Sequence, residues 1–229
     1  MPLIVLEGLD GAGKSTQLRL LEELFDSRGY GREQLHFPRF DSPVYGELIA
    51  RFLRGEMGDI DGVDPYLVAL LFAGDRAEAA PLLREWLDSG KYVILDRYVN
   101  SNIAYQCAKI AGRAKQDALM KWILDLEYGH NDIPRPDISI FMDVPFEFTV
   151  RNLASSRDGD DREYLKGGRD IHESSLDFQL RVRDMYLRIA EADESFRVVN
   201  CADSDGFMGK PEDTFVKITA EIDGLLRKA

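Results

Sequence analysis

At 229 residues, 45% of them hydrophobic and 31% charged, the chain has the size and mix of one folded domain with a substantial core, which excludes a disordered tail and disfavours a second domain. The net charge of −12 argues against a broad polyanion-binding surface, so no nucleic-acid partner is expected and any phosphate ligand must meet a local basic cluster. Cys107 and Cys201 are too few and too far apart for a disulfide framework or a tetrahedral zinc site, and neither a charged leader nor about eighteen consecutive apolar residues is present, so reduced thiols, a cytoplasmic location and no membrane association are expected.

Residues 3–16 open the chain with a short apolar run that reads as a buried parallel strand. Gly8, Gly13, Lys14 and Ser15 then fit the phosphate-loop pattern G-x-x-x-x-G-K-[ST], and a helical pattern follows with Leu18, Leu21 and Phe25 on one face. The order strand, loop, helix is what triphosphate binding requires. Glycines let successive N–H groups turn onto phosphate oxygens, and the helix N-terminus adds partial positive charge. Gly8, Leu9, Asp10, Gly11, Ala12, Gly13, Lys14, Ser15 and Thr16 are therefore the expected ATP-binding loop. Within it Lys14 would bridge the β- and γ-phosphates and Ser15 would ligate Mg²⁺.

After the first helix stops near Gly29, residues 34–37 are expected as a short second strand, with Arg39 just past its end, where open α/β sheets place ligand residues. Residues 45–54 carry Leu48, Ile49, Phe52 and Leu53 at helical spacing, and the pattern breaks over 55–62. Asp64-Pro65 is an N-cap with proline at the first helical position; the helix should run to Leu87, stop at Ser89-Gly90, and kink at Pro81. Phe72 and Arg76 share a face of it. By themselves they read as a core aromatic and a solvated charge.

Residues 91–96 form the clearest strand after the first, an apolar run ending in Asp96, the Walker B arrangement in which the carboxylate reaches Mg²⁺ directly or through water. Arg97 follows at the sheet edge. Residues 100–111 group Ser101, Asn102, Tyr105 and Gln106 on one side of a helix. Further helices are expected over 119–126, from Val144-Pro145, over 170–192 and from Pro211, with strands at 137–143 and 196–200. Residues 151–169, with five basic residues, four acidic ones and three glycines, read as a mobile, charged segment. The result is an α/β, three-layer fold of the P-loop NTPase type with about five parallel strands and helices on both faces, in a single domain spanning 1–229 with a lid at 151–169.

Taken together, the phosphate loop, Phe37-Pro38-Arg39, Leu71-Phe72-Ala73-Gly74-Asp75-Arg76, Asp96-Arg97-Tyr98 with Ser101-Asn102 and Ala104-Tyr105, the charged lid and Asp170-Ile171-His172-Glu173 resemble bacterial thymidylate kinase over nearly the whole chain. The resemblance implies phosphorylation of dTMP to dTDP by ATP with Mg²⁺ in a homodimer. It implies Phe72 stacked on thymine, Arg76 at its O4, Asn102 at its N3, and Tyr105 under the sugar. Arg39 and Arg97 would hold the dTMP phosphate, Asp10 would face sugar and phosphate, and Asp96 would assist Mg²⁺. One type in this family carries a catalytic arginine inside the phosphate loop and the other carries it in the lid. Here the loop position is Gly11, so the chain resembles the lid type, with Arg157, Arg162, Lys166 or Arg169 as candidates and Arg162 and Arg169 favoured.

Chemistry agrees with this reading. A monophosphate acceptor is largely ionised near neutral pH, its second pKa being about 6, and needs no general base. His36, His130 and His172 are scattered, and no Ser/His/Asp or Cys/His constellation emerges. Catalysis would rest on aligning two phosphates and neutralising spreading charge. A deoxynucleoside kinase is the near alternative, but its neutral hydroxyl acceptor needs a carboxylate base and leaves two acceptor-side arginines unexplained. A nucleotide-switched ATPase is the more distant one, disfavoured by the acidic balance and the lack of an Asn-Lys-x-Asp motif.

Overall fold

The structure is a computed structural model that describes residues 1–60, 62–154, 164–166, 170–173 and 175–226. In chain order the elements are β1 (Leu3–Gly8), α1 (Lys14–Ser27), β2 (Arg32–His36), α2 (Tyr45–Leu53), α3 (Pro65–Asp88), β3 (Tyr92–Asp96), α4 (Val99–Cys107), α5 (Arg113–Leu124) with a π-helical turn over Asp125–His130, β4 (Ile138–Asp143), α6 (Phe146–Ala154), α7 (Leu176–Ala192), β5 (Phe196–Asn200) and α8 (Pro211–Leu226). The strands form one sheet in the order β2-β3-β1-β4-β5, every pair parallel.

Parallel strands must be covered on both faces, and the alternation of side chains along β1 shows how this is met. Leu3 and Val5 join Val93, Leu95 and Phe141 in a core under α3, α4, α5 and α7, whereas Ile4 and Leu6 join Ile94, Ile140 and Met142 in a core under α1 and α8. Ile4, Val5 and Leu6 are wholly buried, each worth roughly 1.5–3 kcal/mol. A small third cluster of Ile49, Phe52, Leu53 and Val68 seats α2 on α3. The five-stranded parallel sheet and the helices on both of its faces are as the periodicity predicts.

The register brings the chemistry to one edge. Leu6 pairs with Asp96 and Gly8 with Met142, so the phosphate loop leaves β1 where β3 ends in its carboxylate. The differences from expectation are local. The helix predicted over 170–192 begins only at Leu176, capped by Ser175 Oγ on the Phe178 N–H, because the Asp170 carboxylate binds the His172 N–H and holds the preceding residues in a turn. The helix predicted over 100–111 spans Val99–Cys107. α3 continues through Pro81 as one element.

Candidate active site

A cleft of about 550 Å³ opens at the carboxyl ends of β1 and β3, where open parallel sheets bind ligands. Its lining includes the loop from Asp10 to Thr16 together with Phe72, Arg76, Asp96, Arg97, Asn102 and Tyr105. Gly11 and Gly13 take φ of 76° and 84°, left-handed values that favour glycine, and Gly13 starts α1 with no side-chain cap. The first N–H groups of α1 are thus left for an anion. At Gly8 a Cβ would come within 3.3 Å of Ala12 Cβ, a tight contact that leaves little room for a side chain in the turn. Lys14 is buried, its Nζ held by the carbonyls of Gly8 at 3.4 Å and Leu9 at 3.3 Å. Burial and Arg97 push its pKa down against the pull of Asp96, Asp10 and Glu7.

Asp96 Oδ2 lies 3.1 Å from His36 Nδ1, while Oδ1 is buried without a partner. Burial raises its pKa, but Lys14 and His36 more than offset this and hold it at about 2, so it is a carboxylate at neutral pH. An orphaned, ionised oxygen beside the phosphate loop fits a magnesium ion or its water shell, and Ser15 offers an exposed hydroxyl nearby in the same cleft. Among the described residues no group of three or more His, Cys, Asp or Glu could hold a metal alone.

Asp10 is the hub of a polar network in the cleft. Arg97 Nη2 donates to Oδ1 at 2.6 Å, and Tyr105 Oη and Gln179 Nε2 donate to Oδ2 at 2.7 and 3.0 Å. Burial lifts the Asp10 pKa, but Arg97, Lys14 and these donors outweigh it and keep the group ionised. Arg97 itself has φ 66°, an unusual backbone for a non-glycine residue, fixed by its N–H on the Leu6 carbonyl at 2.9 Å. Behind it stands Glu7, wholly buried. Its Oε1 accepts from the backbone N–H groups of Tyr98 and Ser101, and its Oε2 engages the hydroxyls of Ser101 and Tyr186. Glu7 therefore caps α4 from β1, and through Ser101, which accepts from Arg97 Nη1 at 3.3 Å, it positions Arg97.

At the other end, Arg76 is buried and forked onto Glu127: Nε donates to Oε2 at 2.8 Å and Nη2 to Oε1. The solvated charge that Arg76 resembles in isolation is thus corrected. Burial opposes its charge, and Glu127 overcomes that opposition. Asn102 Nδ2 donates to the Ala69 carbonyl and to Glu127 Oε1, both at 3.0 Å, which orients the amide and leaves Oδ1 buried without a partner. Phe72 is half-buried, packed against the cluster that seats α2 on α3, and lines the cleft. Removing Glu127 would strand a buried guanidinium, so Glu127→Ala should cost roughly 3–5 kcal/mol by denaturant melts, and Glu127→Gln less. A loss below 1 kcal/mol, against that scale of about 3–5, would mean that Arg76 finds another partner.

Arg39 is placed differently from the expectation. Its Nε and backbone N–H bind the Asp75 carboxylate, each at 2.9 Å, and Nη2 reaches Glu78 at 3.0 Å, so its side chain is tied to α3 and is absent from the cleft lining. The segment 151–169, expected as a lid, is described only in part. Arg151 falls in α6, Lys166 is exposed and 3.7 Å from Glu47, and Arg157, Arg162 and Arg169 lie outside the described residues. Asn152 Nδ2 binds the Gly11 carbonyl at 2.7 Å, which fastens the end of α6 to the phosphate loop.

Within the described part of this segment, Tyr164 donates to Asp170 Oδ2 at 2.6 Å and stacks on Phe40 at 3.8 Å. Burial and Asp10 raise the Asp170 pKa from 3.8 to about 7. A carboxyl with a raised folded pKa holds its proton better when folded, so its stabilisation is complete at low pH and is lost as pH rises through the folded value. The melting advantage of Asp170→Asn over wild type should therefore grow across pH 3.8 to about 7. An advantage that shrinks over that range would contradict the assignment.

Glu7, Glu127 and Gln179 were invisible to sequence reasoning. Each is a lone polar residue whose partners lie far along the chain, although a charge at the fifth position of a fully apolar strand is a signal for Glu7. Glu127 sits in a π-helical turn that displaces it from the face a regular continuation of α5 would give.

Comparisons with known proteins agree with this geometry. The thymidylate kinase family model matches residues 6–206. A probable thymidylate kinase of Thermococcus gammatolerans is 35% identical over 209 residues, 88% of each chain. Thymidylate kinase of Mycobacterium tuberculosis is 34% identical over 82% of this chain and 85% of its own, and that of Methylobacillus flagellatus is 31% identical over 96% and 95%. In fold alone, a thymidylate kinase structure from Candida albicans superposes with a TM-score of 0.73 at 24% identity, covering 97% of this chain and 91% of that one. By this match across most of its length, the chain belongs to the thymidylate kinase family.

Proposed function

We propose that the protein phosphorylates dTMP to dTDP with ATP and Mg²⁺, and that the cleft reads the base through Arg76 and Asn102. The observation that carries the reading is the buried, unpartnered Asn102 Oδ1 beside a guanidinium fixed by Glu127. This is an acceptor next to a donor. Thymine and uracil present the complement, an N3–H next to the O4 carbonyl. Cytosine presents a bare N3 next to an amino group, which sets acceptor against acceptor and donor against donor. Phe72 supplies an apolar face for the ring.

At the other end, Arg97 holds the acceptor phosphate with Asp10 fixing its orientation, and Lys14 lies along the donor phosphates. Ser15 and Asp96 would hold Mg²⁺, which when bound neutralises charge on the donor phosphates. The attacking oxygen is already ionised, and no base is required. Neutral thymidine, which would need one, should not be phosphorylated.

A coupled assay offering dTMP, dUMP, dCMP and thymidine tests this. One methyl in an apolar pocket is worth about 1–3 kcal/mol, so dUMP should be 10- to 200-fold poorer but still used. dCMP should fall well below dUMP, because two buried groups lose their partners at about 1–3 kcal/mol each. Comparable use of dCMP and dUMP would overturn the roles of Arg76 and Asn102, and turnover of thymidine would favour the deoxynucleoside kinase alternative.

The homodimer that the resemblance implies is part of the proposal. α3 leaves Leu67 60% and Leu70 47% exposed one turn apart, an apolar stripe of the kind a homodimer covers. Among the described residues no helix is long and apolar enough to cross a membrane, and Cys107 and Cys201 are buried free thiols, which fits a cytoplasmic enzyme. A lid over about 151–169, whose described flanks Asn152 and Asp170 lie at the cleft, completes the proposed single kinase domain.

A further inference from the structure

His172 is a polar side chain of the cleft wall that none of these roles uses. Its backbone is fixed from both sides: the N–H donates to Asp170 Oδ1 at 2.7 Å, and the carbonyl accepts from Gln179 Nε2 at 2.9 Å. The ring packs among Phe52, Tyr105 and Phe178, with centroids 5.5, 5.0 and 5.5 Å away. The residue is 5% exposed, yet it lines the cleft, and Nε2 is buried with no hydrogen-bond partner among the described residues. Burial, helped by Lys109 and Arg97, drives its pKa well below 6.5 despite the nearby Asp10, so the imidazole is neutral. A neutral ring carries one donor nitrogen and one acceptor nitrogen. A buried polar atom without a partner is uncommon enough to call for a ligand or a water.

Its place along the cleft says which ligand group comes near. Tyr105, against the His172 ring, binds Asp10 Oδ2, and Gln179 Nε2 spans from that same oxygen to the His172 carbonyl. Through Asp10 this group touches the phosphate-binding Arg97, and through α4 it stands one turn from the base-reading Asn102. It therefore lies between the phosphate end and the base end. Between its base and its phosphate, a deoxynucleoside monophosphate offers only a weakly accepting ring oxygen and the 3′-hydroxyl, which both donates and accepts.

We propose that His172 is a specificity-determining residue that hydrogen-bonds the acceptor's 3′-hydroxyl alongside Asp10, with Gln179 positioning both. The proposal rests on the orientation of dTMP given above. It makes the cleft select acceptors that carry a free 3′-hydroxyl.

The test compares dTMP with 2′,3′-dideoxythymidine monophosphate in wild type, His172→Phe and His172→Gln, each checked for folding by its melt. Wild type should prefer dTMP. His172→Phe should lose roughly ten-fold in kcat/KM on dTMP, the worth of one hydrogen bond, with little change on the dideoxy substrate or in the KM for ATP. His172→Gln, which keeps a donor and an acceptor, should recover most of the loss. Equal losses of His172→Phe on both substrates would overturn the proposal and leave His172 as a wall. A wild type indifferent to the 3′-hydroxyl would overturn the orientation of dTMP itself, and with it the role of His172.

Discussion

Lys14→Ala should fold as the wild type does and lose at least about 10²- to 10³-fold in turnover, the range for removing one preorganised donor at developing charge. The fold should survive because Lys14 Nζ hydrogen-bonds two loop carbonyls, at 3.4 and 3.3 Å, and the buried carboxylates that its charge also favours keep other partners, Asp96 in His36 and Asp10 in Arg97. Burial and Arg97 work against its charge while Asp96, Asp10 and Glu7 favour it, so truncation should change stability far less than turnover. The ammonium matters most when charge spreads over the transferring group, which is why the loss should fall on kcat and not only on the KM for ATP. Turnover at saturating ATP and dTMP, measured beside a thermal melt, decides. Near-normal turnover in a folded variant would remove Lys14 from the reaction.

How much of this was legible beforehand depended on whether the signal was local. The phosphate loop could be read because its strand, glycines, lysine and helix are contiguous, and Asp96-Arg97 because an apolar strand ends in it. The elements followed from periodicity, since β1, β3 and β4 must be apolar on both faces. What escaped was the support behind the visible residues. Glu7 fixes the backbone that presents Arg97, Glu127 keeps Arg76 ionised and orients Asn102, and Gln179 ties Asp10 to His172 across the fold. None of these pairings leaves a mark in spacing, because their partners are up to 169 residues apart. The start of α7 was misplaced for a related reason. Asp170 looks like a helix start in sequence, but its carboxylate is spent on Tyr164 and His172. Arg39 shows the converse, a residue rightly placed at a strand end whose side chain is engaged by Asp75 and Glu78.

The lid carries the last prediction. The phosphate loop has Gly11 where an arginine could sit, so the charge that accumulates during transfer needs another source. Lys166 is turned outward beside Glu47 and 66% exposed, which leaves Arg157, Arg162 and Arg169. Both anchors of their segment lie at the cleft: Asn152 holds the Gly11 carbonyl at 2.7 Å, and Asp170 and His172 line the wall. A segment that leaves and rejoins the described chain at the cleft makes its arginines the candidates for that charge. An arginine delivered in this way can contribute roughly 10³- to 10⁵-fold in phosphoryl transfer. Each of Arg157, Arg162, Lys166 and Arg169 changed singly to Ala should therefore divide the set. Arg162→Ala or Arg169→Ala should lose about 10²-fold or more in turnover with a modest change in the KM for dTMP, and Lys166→Ala should stay within a few-fold of wild type. Four variants all near wild type would mean that the lid only covers the site, and that Arg97, or an Arg39 released from Asp75 when the acceptor binds, supplies the missing charge.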